Sequence, residues 1–306
     1  MKCIICKGEF ESLSAEHIFP DAIGGSLVVN NVCKSCNSRL GDEVDILLTD
    51  HYLITLIRNA LGIKGKSGII PNPFREGVTE DGQKVRMIIS EDGKFLPQYV
   101  SRLSKITDNK VRLIIDSKDS KQLPDIIKKI FERRKVDITD KEIQEIIGKM
   151  KIESSQPTIQ YDISINTLSY KKALVKIAYE MGVYWLGNEY INDPVGNELR
   201  KSMFLSNDEL KNSKIHGQIG LVNEIDFPLF SLQEISGMHL AILFPDGDRR
   251  YCVIRIFDVF ATIILISENG CLYNNIGSGC FMTLDPQKRT FTESTFIEAL
   301  NKYVKG

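Results

Sequence analysis

Two Cys-x-x-Cys pairs near the start of the chain constrain its fold more than any other feature. Cys3 and Cys6 form the first pair and Cys33 and Cys36 the second, with 26 residues between the pairs. Four thiolates can hold one tetrahedral ion, and zinc is the usual choice. Because a four-thiolate site leaves no coordination position open, this spacing predicts a structural zinc ion that stabilises a short, turn-rich segment.

The remaining cysteines, Cys252, Cys271 and Cys280, are scattered through the last third of the chain and show no ligand spacing. We expect them to be small packed side chains. The N-terminal residues do not form the apolar stretch of a signal peptide, so we expect a cytoplasmic, reducing location in which paired cysteines bind metal. The longest apolar run, residues 256–266, contains Asp258 and is too short to span a membrane, so we expect no membrane partner.

The charge of the chain is nearly balanced, with 39 Lys and Arg against 40 Asp and Glu. This excludes a protein that coats nucleic acid through bulk positive charge, so phosphate contacts must come from local clusters. The candidate residues are Lys128, Lys129, Arg133, Arg134 and Lys135 on one predicted helix, and Arg58, Lys64 and Lys66 next to the cysteine segment. Such a basic run is also typical of a solvent-exposed helix face.

Helical and strand patterns are mixed along the chain without a regular βαβ alternation, which predicts an α+β fold. A Gly- and Pro-containing stretch around residues 62–78 suggests a boundary, with one domain over 1–62 and an α+β domain of unknown role over 63–306. The clearest helix, around residues 171–186, carries an apolar stripe. Its Lys172, Lys176 and Glu180 are expected to face away from the core.

A Glu16-His17 pair lies between the two cysteine pairs, and Asn37 follows the last cysteine directly. Neighbouring side chains on a strand point to opposite faces, so Glu16 and His17 diverge unless a turn or bulge re-aims them. Asn37 stands where a helix should begin and could cap that helix. The acids that follow, Asp42, Glu43 and Asp45, are expected to be solvated near the helix start.

The order C-x-x-C, Glu-His-Ile-x-Pro, Gly-Gly, C-x-x-C and Asn resembles the zinc-bound branch of the His-Asn-His (HNH) endonuclease family over residues 3–45. The resemblance implies a small N-terminal ββα-metal module, followed here by a larger mixed α+β region. It assigns His17 as the general base, and Glu16 and Asn37 as ligands of a catalytic Mg²⁺ or Mn²⁺. The middle Asn that aims the His ring matches either Asn30 or Asn31, and Glu stands here where the family usually has Asp.

The implied chemistry is hydrolysis of DNA phosphodiester bonds. An imidazole with an ordinary pKa of about 6.5 suits a base at neutral pH, and a hard cation with oxygen ligands neutralises charge on the phosphate. The other histidines, His51, His216 and His239, have no neighbouring ligand pattern and are expected to be structural.

Two alternatives remain open at the level of sequence. The cysteine segment could be a non-catalytic zinc module that binds nucleic acid or protein, and the substrate could be RNA. Residues 63–306 match no known pattern; they could position DNA, form a homo-oligomer, or bind a regulatory ligand or protein.

Overall fold

The computed structural model describes residues 1–90, 94–107, 110–133, 135–150, 158–273 and 279–303. Helices and strands are mixed throughout these ranges, which confirms the predicted α+β class. Within them, no helix combines the length and the apolar character needed to cross a bilayer.

The N-terminal segment, residues 1–62, has a ββα core. Two antiparallel strands, β1 (Ser14–His17) and β2 (Val28–Val32), are followed by helix α1 (Lys34–Leu40). A π-helical turn, Gly41–Asp45, joins α1 to α2 (Ile46–Thr49), and α3 (Tyr52–Ala60) completes the segment. Apolar residues from Val44 to Leu61 recur at helical spacing and predict one helix up to Gly62, but the structure interrupts this helix. It restarts at His51, whose ring Nδ1 accepts a hydrogen bond from the Leu53 amide and caps α3.

Residues 72–163 form a separate compact unit. Its elements are β3 (Glu76–Thr79), β4 (Lys84–Ile89), β5 (Phe95–Tyr99), β6 (Arg102–Thr107), β7 (Lys110–Ile114), α4 (Leu123–Arg133), α5 (Asp140–Gly148) and β8 (Ile159–Gln160). One antiparallel sheet has the order β5-β4-β3-β8, and β6 pairs with β7. The spacing of Thr139 and Glu142 in the sequence predicts a capping box, and the structure contains it. Asp92-Gly93, a pair that predicts a hairpin turn, lies outside the described residues, as does Arg134 of the basic cluster.

The remaining residues, 164–306, are called the body. Its helices and strands are α6 (Lys171–Leu186), α7 (Pro194–Ser202), α8 (Asn207–Lys211), β9 (Gly217–Leu221), β10 (His239–Asp246), β11 (Arg249–Ile256), β12 (Phe260–Ser267), β13 (Cys280–Asp285), β14 (Thr290–Thr295) and α9 (Phe296–Tyr303). An antiparallel sheet has the order β14-β13-β10-β11-β12-β9. The apolar run over residues 256–266 predicts a buried strand, but the chain turns after Ile256, where Phe257 has a φ of 50°.

The N-terminal segment and the body share one hydrophobic core. Residues 1–71 group with 164–306 in one compact unit, so the structure divides the chain differently from the boundary expected near residue 62. The reason is burial: Ile4, Ile18 and Phe19 of the N-terminal segment pack in the same cluster as Ile177 and Ala178 of α6. A segment this short gains most of its apolar burial by packing against the body.

Helix α6 lies at the centre of this shared core, and both Lys176 and Glu180 are fully buried on it. The expectation that these two side chains face solvent was wrong, because α6 is covered on one side by the sheet and on another by α2 and the π-helical turn. Lys172 is partly exposed, one turn before Lys176. A buried ammonium and carboxylate require partners, and the N-terminal segment supplies several of them.

Candidate active site

The four predicted cysteine ligands meet at one point. Cys3 and Cys6 lie in the first loop, Cys33 precedes α1 and Cys36 lies in its first turn. All four Sγ atoms lie within 4.8 Å of one another. The Sγ atoms of Cys6 and Cys33 are 3.9 Å apart, close to the ~3.8 Å expected for two thiolates that share a tetrahedral zinc with bonds of about 2.3 Å. The cluster therefore fits a structural zinc ion.

Strand β1 carries Glu16 and His17 to opposite sides. Glu16 is 3 % exposed, whereas the side chain of His17 is 27 % exposed. The register of β1 and β2 contains the anticipated irregularity: Ser14 pairs with Val32 and Glu16 with Val29. Two residues of β2 therefore lie opposite the single residue Ala15, which is a β-bulge. Because the bulge precedes Glu16, it does not re-aim Glu16 or His17, and their side chains point to opposite faces.

Those two residues of the bulge are Asn30 and Asn31, the two candidates for the middle Asn. The side chain of Asn30 is exposed. In the part of the chain that is described, the buried Oδ1 of Asn31 has no hydrogen-bond donor, while the Asn31 carbonyl accepts a bond from the Ile4 amide at 3.0 Å. The position of both residues opposite β1 is compatible with the predicted role, and the choice between them stays a prediction.

Asn37, in α1, joins the helix to β1 through its amide group. Its Nδ2 donates to the Ala15 carbonyl at 2.6 Å and to the Ser14 hydroxyl at 3.1 Å. Cys36 of the cysteine cluster directly precedes Asn37, so the cluster holds the start of α1, while the Asn37 amide joins α1 to the strand that carries Glu16 and His17. Cys33, rather than Asn37, occupies the N-cap position of α1, so Asn37 does not cap this helix.

Lys176 provides the partner of Glu16. Its Nζ lies 2.6 Å from Glu16 Oε1, 3.1 Å from Glu180 Oε2 and 3.4 Å from Asp45 Oδ1. The same ammonium donates to the carbonyl oxygens of His17 at 2.8 Å and Ile18 at 3.3 Å. One buried cation therefore contacts three carboxylates and two consecutive carbonyls at the end of β1.

Burial and charge set the protonation of this cluster. Burial alone lowers the pKa of Lys176, but the nearby Asp45, Glu180 and Glu16 outweigh it and raise that pKa above its ordinary value. Burial raises the pKa of Asp45 to about 6, against the opposing effect of Lys176, and raises the pKa of Glu180 well above its ordinary value. At neutral pH the ammonium of Lys176 is charged. Of the acids around it, Glu180 is the one whose neutral form is most favoured by burial.

His17 faces a different environment. Burial lowers the pKa of its imidazole, the charge of Asp21 opposes this shift, and the charge of Lys66 adds to it. The His17 Nε2 lies 3.9 Å from Asp21 Oδ1, and Asp21 is paired with Arg289 of the body at 2.6 Å. A lowered pKa leaves the imidazole neutral at pH 7, which is the form that can accept a proton.

A second cation at the predicted ligands would have to share Glu16 with Lys176. The carboxylate of Glu16 is already paired with the ammonium, and the amide nitrogen of Asn37 is directed at β1. Among the described residues, the four cysteines are the one group of three or more Cys, His, Asp and Glu side chains placed so that they could hold a metal ion, with all ligand atoms within 4.8 Å of one another. The fit to a metal is therefore established by geometry at the cysteines, and the Glu16–Asn37 ligand pair stays a prediction.

Sequence reasoning missed three members of this site. The sequence pattern predicts that Lys176 and Glu180 face solvent and that Asp45 is a solvated acid. In the structure the first two are buried, and the side chain of Asp45 is only 16 % exposed. A signal was present: residues 173–186 contain only two charged residues in a helix that is otherwise apolar on every side. Such a helix is buried all round, and a Lys and a Glu four residues apart within it must satisfy each other or a neighbour.

Residues 3–53 match the model of a family described as HNH endonuclease. No curated protein and no solved structure matches the chain. The match and the four-cysteine cluster together fit a zinc-bound HNH segment, followed by a larger, sheet-rich region. An HNH segment indicates a nuclease-type activity on nucleic acid, and the resemblance noted in the sequence is thereby confirmed.

Proposed function

We propose that this chain, whose N-terminal residues form an HNH segment, is a metal-dependent endonuclease that hydrolyses phosphodiester bonds of DNA. The observation that carries the proposal is the position of His17. Its imidazole stands at the end of β1, partly exposed to solvent, while its backbone carbonyl is held from the buried side by Lys176. A base that must meet a water and a phosphate needs this combination of access and fixed geometry.

His17 would remove a proton from the attacking water. Because burial holds its pKa below the ordinary value, the ring is neutral at pH 7 and has a free nitrogen to accept that proton. Asp21, 3.9 Å from the His17 Nε2, is placed to stabilise the imidazolium that forms. Asn30 or Asn31, in the bulge opposite Ala15, would support the strand that aims the ring.

A divalent cation, Mg²⁺ or Mn²⁺, would be held by Glu16 and Asn37, with Glu16 shared between the cation and Lys176. When bound, this ion supplies charge neutralisation at the phosphate and the leaving oxygen. Asn37 directly follows the cysteine Cys36 in α1, and its amide donates to the backbone of β1, the strand that carries Glu16. The structural zinc would hold the start of α1, and a closed four-thiolate site takes no part in hydrolysis itself.

Exposed lysines close to His17 would attract the phosphates of DNA. Lys64 and Lys66 are both exposed on the loop after α3, and the charge of Lys66 helps to lower the pKa of the His17 imidazole. Arg58, the third cation expected here, is buried, and its guanidinium donates to the Thr49 carbonyl at 2.9 Å. We therefore assign the local phosphate attraction to the two lysines and a structural role to Arg58.

The test is a cleavage assay with the native chain on plasmid DNA, linear duplex DNA and single-stranded RNA, with Mg²⁺, Mn²⁺ or EDTA. We expect cleavage of DNA that EDTA abolishes and that His17→Ala slows by about 100-fold. His216→Ala is the matched control, because His216 is exposed and lies in the body. Cleavage of RNA alone would change the substrate class, and equal cleavage by native chain and His17→Ala would reject the proposal.

A second candidate function is a non-catalytic zinc module that binds nucleic acid. The pairing of Glu16 with Lys176 favours it, because a carboxylate that is buried and already neutralised is a poor ligand for a further cation. DNA binding with one zinc per chain, no second divalent ion and no cleavage under any of the conditions above would establish this alternative.

A further inference from the structure

We propose that Lys176 is the positioning residue of the active site: from the body, it fixes the end of β1 and thereby the direction of the His17 imidazole. This inference rests on the proposed nuclease function, in which His17 is the base. Lys176 lies on α6, outside the matched residues 3–53. The inference therefore gives the body a role in positioning the base.

Three contacts join Lys176 to three consecutive residues. Its ammonium pairs with the carboxylate of Glu16 and donates to the carbonyls of His17 and Ile18. An ammonium has three protons, and these three partners share them with Glu180 at 3.1 Å and Asp45 at 3.4 Å. Lys176 is fully buried, so water cannot replace any of these bonds when the chain fluctuates.

The end of β1 needs such support. Strand β1 has four residues in a sheet of two strands, and an isolated two-stranded sheet is marginally stable in water. Its ladder ends at His17, which pairs with Val28, and the Ile18 amide then donates to the Leu27 carbonyl at 3.1 Å. Without the ammonium, the Ile18 amide would still hold one edge of the peptide between His17 and Ile18, but the His17 carbonyl would lose this donor, so the peptide could tilt and turn the imidazole away from its position.

Stability alone does not account for this arrangement. A buried ion pair costs desolvation, and apolar residues of similar volume are often equally stabilising at such a position. Here the cation also gathers Asp45 and Glu180 around it, so the site holds more acids than one ammonium can neutralise. What the lysine adds, and a leucine or methionine could not, is a set of directed bonds to the two consecutive carbonyls of His17 and Ile18.

The experiment compares Glu180→Gln with the double variant Lys176→Met/Glu180→Gln. Both lack the same buried acid and differ only in the ammonium, so their comparison reports the loss of its contacts with β1 and with Asp45. Lys172→Met is the matched control on α6, since Lys172 lies one turn away and is partly exposed. Zinc content and thermal unfolding are measured for every variant to show that each is folded.

For the double variant we expect kcat on DNA to fall by about ten-fold or more relative to Glu180→Gln, because the His17 base is displaced. KM should change little, because the contacts with the phosphates of DNA are retained. Lys172→Met should match the native chain. Equal kcat values for Glu180→Gln and the double variant would overturn the proposal. If the double variant fails to fold, Lys176→Gln/Glu180→Gln takes its place: its amide ends one atom short of the ammonium position, so the same loss is expected and equal kcat again overturns the proposal.

A second readout separates this inference from the proposed function. The ¹⁵N signals of the His17 ring, assigned by their loss in His17→Gln, report its surroundings whether or not the chain cleaves DNA. We expect them to shift in the double variant and to stay unchanged in Glu180→Gln and Lys172→Met. Unchanged His17 signals in the double variant would contradict the positioning role even in an active enzyme. A native chain without cleavage would reject the nuclease and leave the role to be judged by these signals.

Discussion

The ring Nε2 of His239 donates a hydrogen bond to the Ile23 carbonyl at 2.9 Å. This bond connects strand β10 of the body, which begins at His239, to the N-terminal segment. The other nitrogen, Nδ1, accepts a bond from the Phe257 amide at 3.2 Å. Both bonds require the neutral ring with its proton on Nε2. The ring is fully buried and stacks on Phe19 with centroids 5.7 Å apart.

This buried histidine makes stability depend on pH. Burial lowers the pKa of His239 to about 4, although its bond to Ile23 opposes the shift, whereas the ordinary value is 6.5. Between these values the unfolded chain binds a proton that the folded chain excludes, so the free energy of unfolding decreases as pH falls. From pH 7 to pH 5 we expect His239 to contribute a loss of about 2 kcal/mol, measured by chemical denaturation.

The comparison variant for this prediction is His239→Gln, which removes the titrating ring. Its unfolding free energy should depend less steeply on pH than that of the native chain, while His216→Gln, at an exposed position, should follow the native curve. An identical pH dependence in native and His239→Gln chains would show that His239 does not titrate as its buried position requires.

Removal of one zinc ligand should detach the metal and loosen the N-terminal segment. Cys36→Ser leaves three thiolates, so we expect the zinc-to-protein ratio to fall well below one and the unfolding temperature to decrease. Cys271→Ser is the control, because Cys271 is exposed and outside the cluster. Zinc release is measured with a chromogenic chelator; native zinc content in Cys36→Ser would contradict a four-thiolate site.

Lys66→Gln should weaken substrate binding more than chemistry. Because Lys66 is exposed and its charge reaches His17, its loss should raise KM for DNA several-fold and make binding less sensitive to salt. Lys121→Gln, an exposed lysine in residues 72–163, is the control. The measurement is the salt dependence of DNA affinity, and equal slopes for Lys66→Gln and native chain would exclude Lys66 from the phosphate contacts.

Tyr179→Phe should weaken the junction between α6 and the first cysteine loop. The buried Tyr179 hydroxyl donates to the Ile4 carbonyl at 2.6 Å, next to Cys3, so its removal leaves that carbonyl without this donor. We expect a loss of about 1–2 kcal/mol in the free energy of unfolding. Tyr184→Phe, whose partly exposed hydroxyl donates to Glu293 at 3.2 Å, should change it by less than about 0.5 kcal/mol. A loss in Tyr179→Phe no larger than in Tyr184→Phe would argue against this bond.

The local features of the chain were predictable from its sequence because short-range chemistry determines them. The spacing of Cys3, Cys6, Cys33 and Cys36 requires only one tetrahedral ion, and the pattern at Thr139 and Glu142 forms a capping box within four residues. The class of fold followed from the mixture of helical and strand patterns. Each of these depends on residues that are near in sequence or on a single shared ligand.

The long-range features were not predictable in this way. Lys176 is 160 residues from Glu16 in the sequence, and no periodicity in α6 indicates which segment covers its polar side. Residues 72–163 are inserted between two parts of one compact unit. Local sequence patterns do not indicate this insertion either. The apolar composition of residues 173–186 indicates a buried helix, but only the structure shows that Glu16 and Asp45 are the partners of its lysine.

The central claim, that His17 is the base of a nuclease, is tested most directly by chemical rescue. We expect His17→Ala to retain native zinc content and to cleave plasmid DNA about 100-fold more slowly than the native chain in Mn²⁺, and added imidazole to restore part of the lost rate. Imidazole should not accelerate the native chain or His216→Ala. Native cleavage by His17→Ala without imidazole would contradict the claim.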